Sequence, residues 1–217
     1  MRDIGQRLAC YLCAGEATTR DHVPPRGFFN EVPNNIITIP ACHQCNNSYA
    51  KDEEYFRTMV AAQCYDKSAA ARQVWQGPVI RALWRKGYEG LRKRLLRKSM
   101  LIQLPPGRGL PIAAVFVVEG GRAARVVRKI VKGLYFALRD ERLDDADLLI
   151  FLDQDVRLDF QNLTRTWQET DMGETFRCRW AFDDNGGAIW MQFYRASWWL
   201  AVMGDMARDY PRRETPG

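Results

Sequence analysis

Histidine is scarce in this chain: 217 residues contain only His22 and His43. Long apolar runs are missing too, since Ile112–Val118 and Trp198–Met203 are strand-sized and too short to cross a bilayer. The N-terminal residues hold no apolar secretory core, because Arg2, Asp3 and Arg7 interrupt it, and a cytoplasmic protein without membrane attachment is expected. There is no internal repeat and no low-complexity tract. A hydrophobic fraction of 47% with 27% charged residues is the composition of a folded globular protein and excludes a disordered one.

What the chain does have is a patterned set of cysteines. Four of its six lie in two Cys-x-x-Cys pairs, Cys10–Cys13 and Cys42–Cys45, while Cys64 and Cys178 stand alone. In a reducing compartment that arrangement favours a metal over disulfides. Two such turns supply the four soft ligands of a tetrahedral Zn²⁺, and four thiolates leave no open position, so this zinc is expected to be structural. The 28 residues between the pairs form a loop long enough to hold something substantial. That loop carries Thr19-Arg20-Asp21-His22-Val23-Pro24-Pro25, and Asn46 follows the second pair directly.

Charge is unevenly distributed. The net value is +6, but Arg81–Arg142 holds 16 Lys/Arg against 4 Asp/Glu, so the remainder is net acidic. A basic block in an otherwise acidic chain suits a polyanion-binding face. Arg92, Lys93, Arg94, Arg97 and Lys98 are its densest part and, with Arg20 and Arg57, are the candidate nucleic-acid contacts. Trp75, Trp84, Tyr88, Trp198 and Trp199 are expected to pack in the core rather than to stack on unpaired bases. The acids from Asp144 to Asp159 read as a solvated edge.

The residue pattern predicts an α+β protein. Asp21–Val23 and Asn35–Ile39 read as short extended segments, and a helix follows from about Asn46 into the Ala69–Ala71 region. Gln76-Gly77-Pro78 is expected to break it, and a basic helix to run from Val79 to about Met100. Beyond a linker at Leu104–Gly109 the order β-α-β-α-β-β is expected. Its parts are a strand at Ile112–Val118, a helix over Arg122–Arg139, a strand at Leu148–Leu152 and a helix at Phe160–Trp167. A hairpin closes the series, formed by Thr175–Phe182 and Ala188–Trp199 around Asp184-Asn185-Gly186-Gly187. The expected divisions are 1–75 for the zinc-stapled unit, 76–104 for a basic connector, 105–203 for a C-terminal α/β domain and 204–217 for a tail.

Within the cysteine frame, Asp21, His22 and Asn46 suggest hydrolytic chemistry. The Asp21 carboxylate and the Asn46 amide oxygen are hard ligands of the kind Mg²⁺ or Mn²⁺ takes, and neutral His22 is suited to accept a proton from an attacking water. Each residue also has an ordinary alternative: a turn histidine, a capping carboxylate, a helix N-cap. The run Cys-x-x-Cys … Asp-His-x-Pro-Pro … Cys-x-x-Cys-Asn resembles the HNH, or ββα-metal, endonucleases, in particular the variant with a Cys₄ zinc found in the phage junction resolvase endonuclease VII. The resemblance spans about 50 residues. It implies a ββα-metal module, cleavage of DNA leaving 5′-phosphate and 3′-hydroxyl ends, and His22 as general base. It also implies Asp21 and Asn46 as ligands of a catalytic Mg²⁺ or Mn²⁺, Cys10, Cys13, Cys42 and Cys45 as zinc ligands, and Asn35, with Asn34 as a rival, as the residue orienting the base. The chain departs from the family in having no His-x-x-x-His pair on the helix, and Glu53, Glu54 or Arg57 are open candidates to complete the site.

Two other readings compete. One is a zinc module that binds nucleic acid or a protein without catalysis. The other places the same chemistry in a subunit of a bacterial phage-defence system, as a homodimer or within a larger complex, active only when partnered.

Overall fold

Two extended segments, a helical pair and a long capped helix set the frame of the molecule. A computed structural model describes residues 8–87, 89, 90, 92, 93, 99–103, 112–116, 119–152 and 167–208. Strands β1 (Thr19–Val23) and β2 (Ile37–Ala41) pair antiparallel, with Asp21 opposite Ile39 and His22 opposite Thr38. The β-branched run of β2 favours this pleated surface. Side chains alternate across a strand, so Asp21 and Val23 face inward while Arg20 and His22 face out.

Helix α1 (His43–Ser48) starts at the second cysteine pair, where the Cys42 sulfur accepts the Cys45 N–H at 3.3 Å. After Tyr49 the chain turns into α2 (Ala50–Gln63), which has Asp52 and Glu53 in its first turn, where the helix dipole favours acids. Helix α3 (Ala69–Val74) follows, capped by the Ser68 hydroxyl. Gln76-Gly77-Pro78 does not stop it. Trp75–Val79 continues as a π-helical turn into α4 (Ile80–Leu83), which corrects the expected break. A wide turn of this kind accommodates a ring that lacks an N–H and would clash with the carbonyl of an ordinary turn.

The expected basic helix is also shorter than predicted. Ser99–Gln103 is strand β3, paired antiparallel with β4 (Ile112–Phe116). The linker at 104–109 lies outside the described residues. Helix α5 (Gly120–Arg139) matches its expectation closely: Val126, Val127, Ile130, Val131 and Leu134 are buried along one stripe. It ends at Asp140, whose left-handed backbone (φ 58°) lets its N–H reach the Phe136 carbonyl.

A five-stranded antiparallel sheet completes the fold, with β5 (Leu148–Leu152), β6 (Gln168–Met172), β7 (Phe176–Asp183), β8 (Gly186–Phe193) and β9 (Ser197–Gly204) in the order β5-β9-β8-β7-β6. The hairpin at Asp184-Asn185 is where the turn residues placed it. The stretch expected as one strand over Ala188–Trp199 is instead two, because Tyr194 and Arg195 adopt positive φ and reverse the chain. The expected helix at Phe160–Trp167 falls outside the described residues except for Trp167. A last turn, α6 (Asp205–Arg208), is pinned by an ion pair from Arg208 to Asp147. No helix among the described residues is long and apolar enough to cross a membrane.

One hydrophobic cluster runs from Cys10 and Tyr11 through the β1–β2 hairpin, α2 and α5 to Met203 on β9. Phe56 of α2 sits at its centre, with ring centroids 5.6 Å from Phe28, 5.5 Å from Phe193 and 5.7 Å from Trp199. Helix α5 comes close to the β1–β2 hairpin at Gly133, where an added Cβ would lie 2.6 Å from Val23 Cγ2 and 3.0 Å from Ile39 Cδ1. Gly133→Ala is therefore expected to destabilise the protein by about 1–3 kcal/mol through overpacking, despite alanine's better helix propensity. Denaturant unfolding tests this, and an unchanged or raised stability would show that the helix does not sit that close to the hairpin.

Candidate functional site

The four cysteines converge. Their sulfur atoms all lie within 4.8 Å of one another, and Cys13 Sγ is 3.7 Å from Cys42 Sγ. A tetrahedral zinc with Zn–S bonds of about 2.3 Å has S···S edges of roughly 3.8 Å, so the group can hold one ion such as zinc. The first pair curls because the Cys10 N–H donates to the Gly15 carbonyl and Ala14 takes positive φ. Burial raises the Cys10 thiol pKa, but hydrogen bonds from the backbone of Cys42, Leu12 and Cys13 outweigh it and leave the thiol at about 7. Burial and the neighbouring thiols Cys42 and Cys13 push Cys45 upward. Cys64 and Cys178 are buried and apart from the cluster.

Beside this staple, α1 is clipped to β1. The Asn46 amide donates to the Thr19 hydroxyl and the Arg20 carbonyl, both at 3.3 Å. His22 is half-exposed on the outward face of β1, next to exposed Arg20, and its backbone N–H donates to Asp21 Oδ1 at 2.9 Å. The Asp21 carboxylate turns the other way and is only 5% exposed. Its Oδ2 accepts the Tyr11 hydroxyl at 2.8 Å and lies 2.8 Å from the Lys129 ammonium.

Lys129 reaches this carboxylate from α5 and is 2% exposed. It also pairs with Glu53 of α2, and its ammonium lies 5.3 Å from the centroid of the Tyr49 ring. Gly133, one helical turn on, lets the helix come near enough for that reach. Burial alone would lower the Lys129 pKa, but Glu53 and Asp21 more than reverse it, and the group is held protonated. Burial pushes Glu53 up, against the pull of Lys129, and pushes Tyr11 up with Asp21 adding to the effect. With both Asp21 oxygens engaged and an ammonium at one of them, the Asp21–Asn46 pair as placed does not fit a second, hard divalent cation. Asn46 meets β1 at residues 19 and 20 instead.

The remaining predicted residues are scattered. Asn35 donates its amide to the Asp171 carbonyl on β6 and so ties the hairpin to the C-terminal sheet. Arg57 is half-buried, paired with Glu54 at 3.6 Å, and its Nε–H is buried without an acceptor. It lines a cleft of about 300 Å³ with Pro25, Gly27, Lys51, Glu53 and Glu54. Arg92 lies over the Trp84 ring, 5.4 Å from its centroid, and Lys93 is exposed. Arg94, Arg97, Lys98 and Tyr88 are outside the described residues. Trp75 and Trp199 pack on the core as expected, but Trp84 is 73% exposed and corrects the expectation of burial.

Tyr11 and Lys129 are the site residues that sequence reasoning did not find. The signal for Lys129 was present: a lysine three residues after Val126 and four before Gly133, on the apolar face of an amphipathic helix. Searches against protein-family profiles, curated proteins and solved structures return no match, so the site stands on its own geometry.

Proposed function

We propose that this chain is a nuclease in which the four cysteines hold a structural zinc and His22 is the general base. The observation that supports it best is the half-exposed imidazole on the outward face of β1, on a strand anchored by the cysteine frame, by Asn46 and by Asp21. His22 would take a proton from a water whose oxygen bonds to phosphorus as the P–O3′ bond breaks, the departing 3′-oxygen taking a proton from solvent, with the family resemblance pointing to DNA and to 5′-phosphate and 3′-hydroxyl products. Arg20, on the same face of β1, would neutralise the phosphate. Exposed Trp84, with Arg92 over its ring and Arg81, Arg85 and Lys86 close to it in sequence, is suited to stack an unpaired base. Substrates with single-stranded or branched segments are therefore expected to be cut in preference to plain duplex.

The test is a panel of supercoiled plasmid, single-stranded and branched DNA incubated with the zinc-loaded chain, with and without added Mg²⁺ or Mn²⁺. Strand breaks in any arm support the reading, and intact substrate in every arm overturns it. One observation favours a second reading, a nucleic-acid-binding zinc module without catalysis: Asp21 is already neutralised by Lys129. That module would shift the same substrates in a gel at low salt without breaking them.

A further inference from the structure

We infer that Lys129 is the built-in cation of this site, occupying at Asp21 and Glu53 the position that a divalent ion would otherwise take. The assignment goes beyond the nuclease reading, because the cation at Asp21 is a property of the folded chain whether or not it cleaves DNA. Three features carry it. The ammonium is enclosed, with two carboxylates and the face of Tyr49 around it. Asp21 also accepts the Tyr11 hydroxyl at Oδ2 and the His22 N–H at Oδ1, so both of its oxygens are engaged without an ion. The helix that delivers the lysine is fixed by the contact of Gly133 with Val23 and Ile39, leaving little room to swing away.

An incoming Mg²⁺ or Mn²⁺ would have to shed tightly held water and expel a buried ammonium, leaving that charge without a partner in the interior. The tethered lysine needs no free concentration to stay bound. Lys129 is thus a positioning residue. It holds the Asp21 carboxylate, whose Oδ1 fixes the backbone under His22, and it supplies the positive charge that resemblance alone would have given to a metal.

The experiment uses the zinc-loaded full chain and Mn²⁺ as probe, read by paramagnetic broadening of the Asp21, His22 and Val23 amide signals in NMR. Wild type is expected to show no selective broadening at these amides up to millimolar Mn²⁺. Lys129→Met, which keeps the apolar stem but removes the charge, is expected to gain it, with at least tenfold tighter Mn²⁺ binding by isothermal titration. The gain should vanish in the double variant Lys129→Met, Asp21→Asn. Selective broadening in wild type would overturn the assignment even if the variants fail to fold. A folded Lys129→Met chain that gains no Mn²⁺ site would overturn it as well. Neither measurement uses cleavage, so the inference and the nuclease reading fail separately.

Discussion

Replacing His22 by alanine is expected to reduce strand cleavage by about 10²–10⁴-fold, the usual contribution of a positioned general base. Zinc content and the unfolding transition should be unchanged. The imidazole projects from the outward face of β1 and is half-exposed, so its loss opens no cavity in the core. Substitutions at such positions usually shift stability by less than about 0.5 kcal/mol. The Asp21 contact is to the His22 backbone N–H and survives the change. Single-turnover cleavage, metal analysis and a denaturation curve on the same preparation separate catalysis from folding. A His22→Ala chain that cuts at the wild-type rate would remove the base assignment.

The other large effect is expected at the metal staple. Cys45→Ser should lose the zinc and, with it, the cooperative fold. A structural zinc contributes roughly 10–16 kcal/mol of apparent binding free energy, as much as the whole net stability of an ordinary domain, roughly 5–15 kcal/mol. Cys10 has no exposed surface, so an unligated cluster would leave a buried, charge-prone thiol next to Tyr11 in the core. The same cluster runs on to Met203, and the loss should reach the C-terminal sheet and not stop at the N-terminal strands. Circular dichroism and zinc analysis check this, with Cys64→Ser as the control that keeps its metal. A folded, zinc-free Cys45→Ser chain would contradict the staple.

How far the sequence could be read follows from the range of the interactions involved. The cysteine frame was legible because metal coordination demands four like ligands at turn spacing. The α5 stripe and the Asp184–Gly187 hairpin were legible because they depend on near neighbours. The end of the basic helix at Ser99 and Met100 was misread because the Arg, Lys and Leu before it favour a helix, whereas pairing with Ile112–Phe116 makes Ser99–Gln103 a strand. The orientation of Asp21 was beyond local reading altogether. Strand alternation says that Asp21 and His22 point opposite ways, but which faces inward is decided by what covers the sheet. Here the cover is α5, and the residue that meets Asp21 lies more than a hundred positions downstream.

The tethers between the two ends of the chain carry a consequence for transplantation. Tyr194 donates its buried hydroxyl to the Phe28 carbonyl, and Asn35 grips β6. The first seventy-odd residues are therefore not expected to work as a detachable cassette. Fusing them to a foreign DNA-targeting protein would strip away the aromatic floor beneath Phe28 and Phe56 and the lysine beneath Asp21. A working graft would have to bring α5 and the β8–β9 hairpin along.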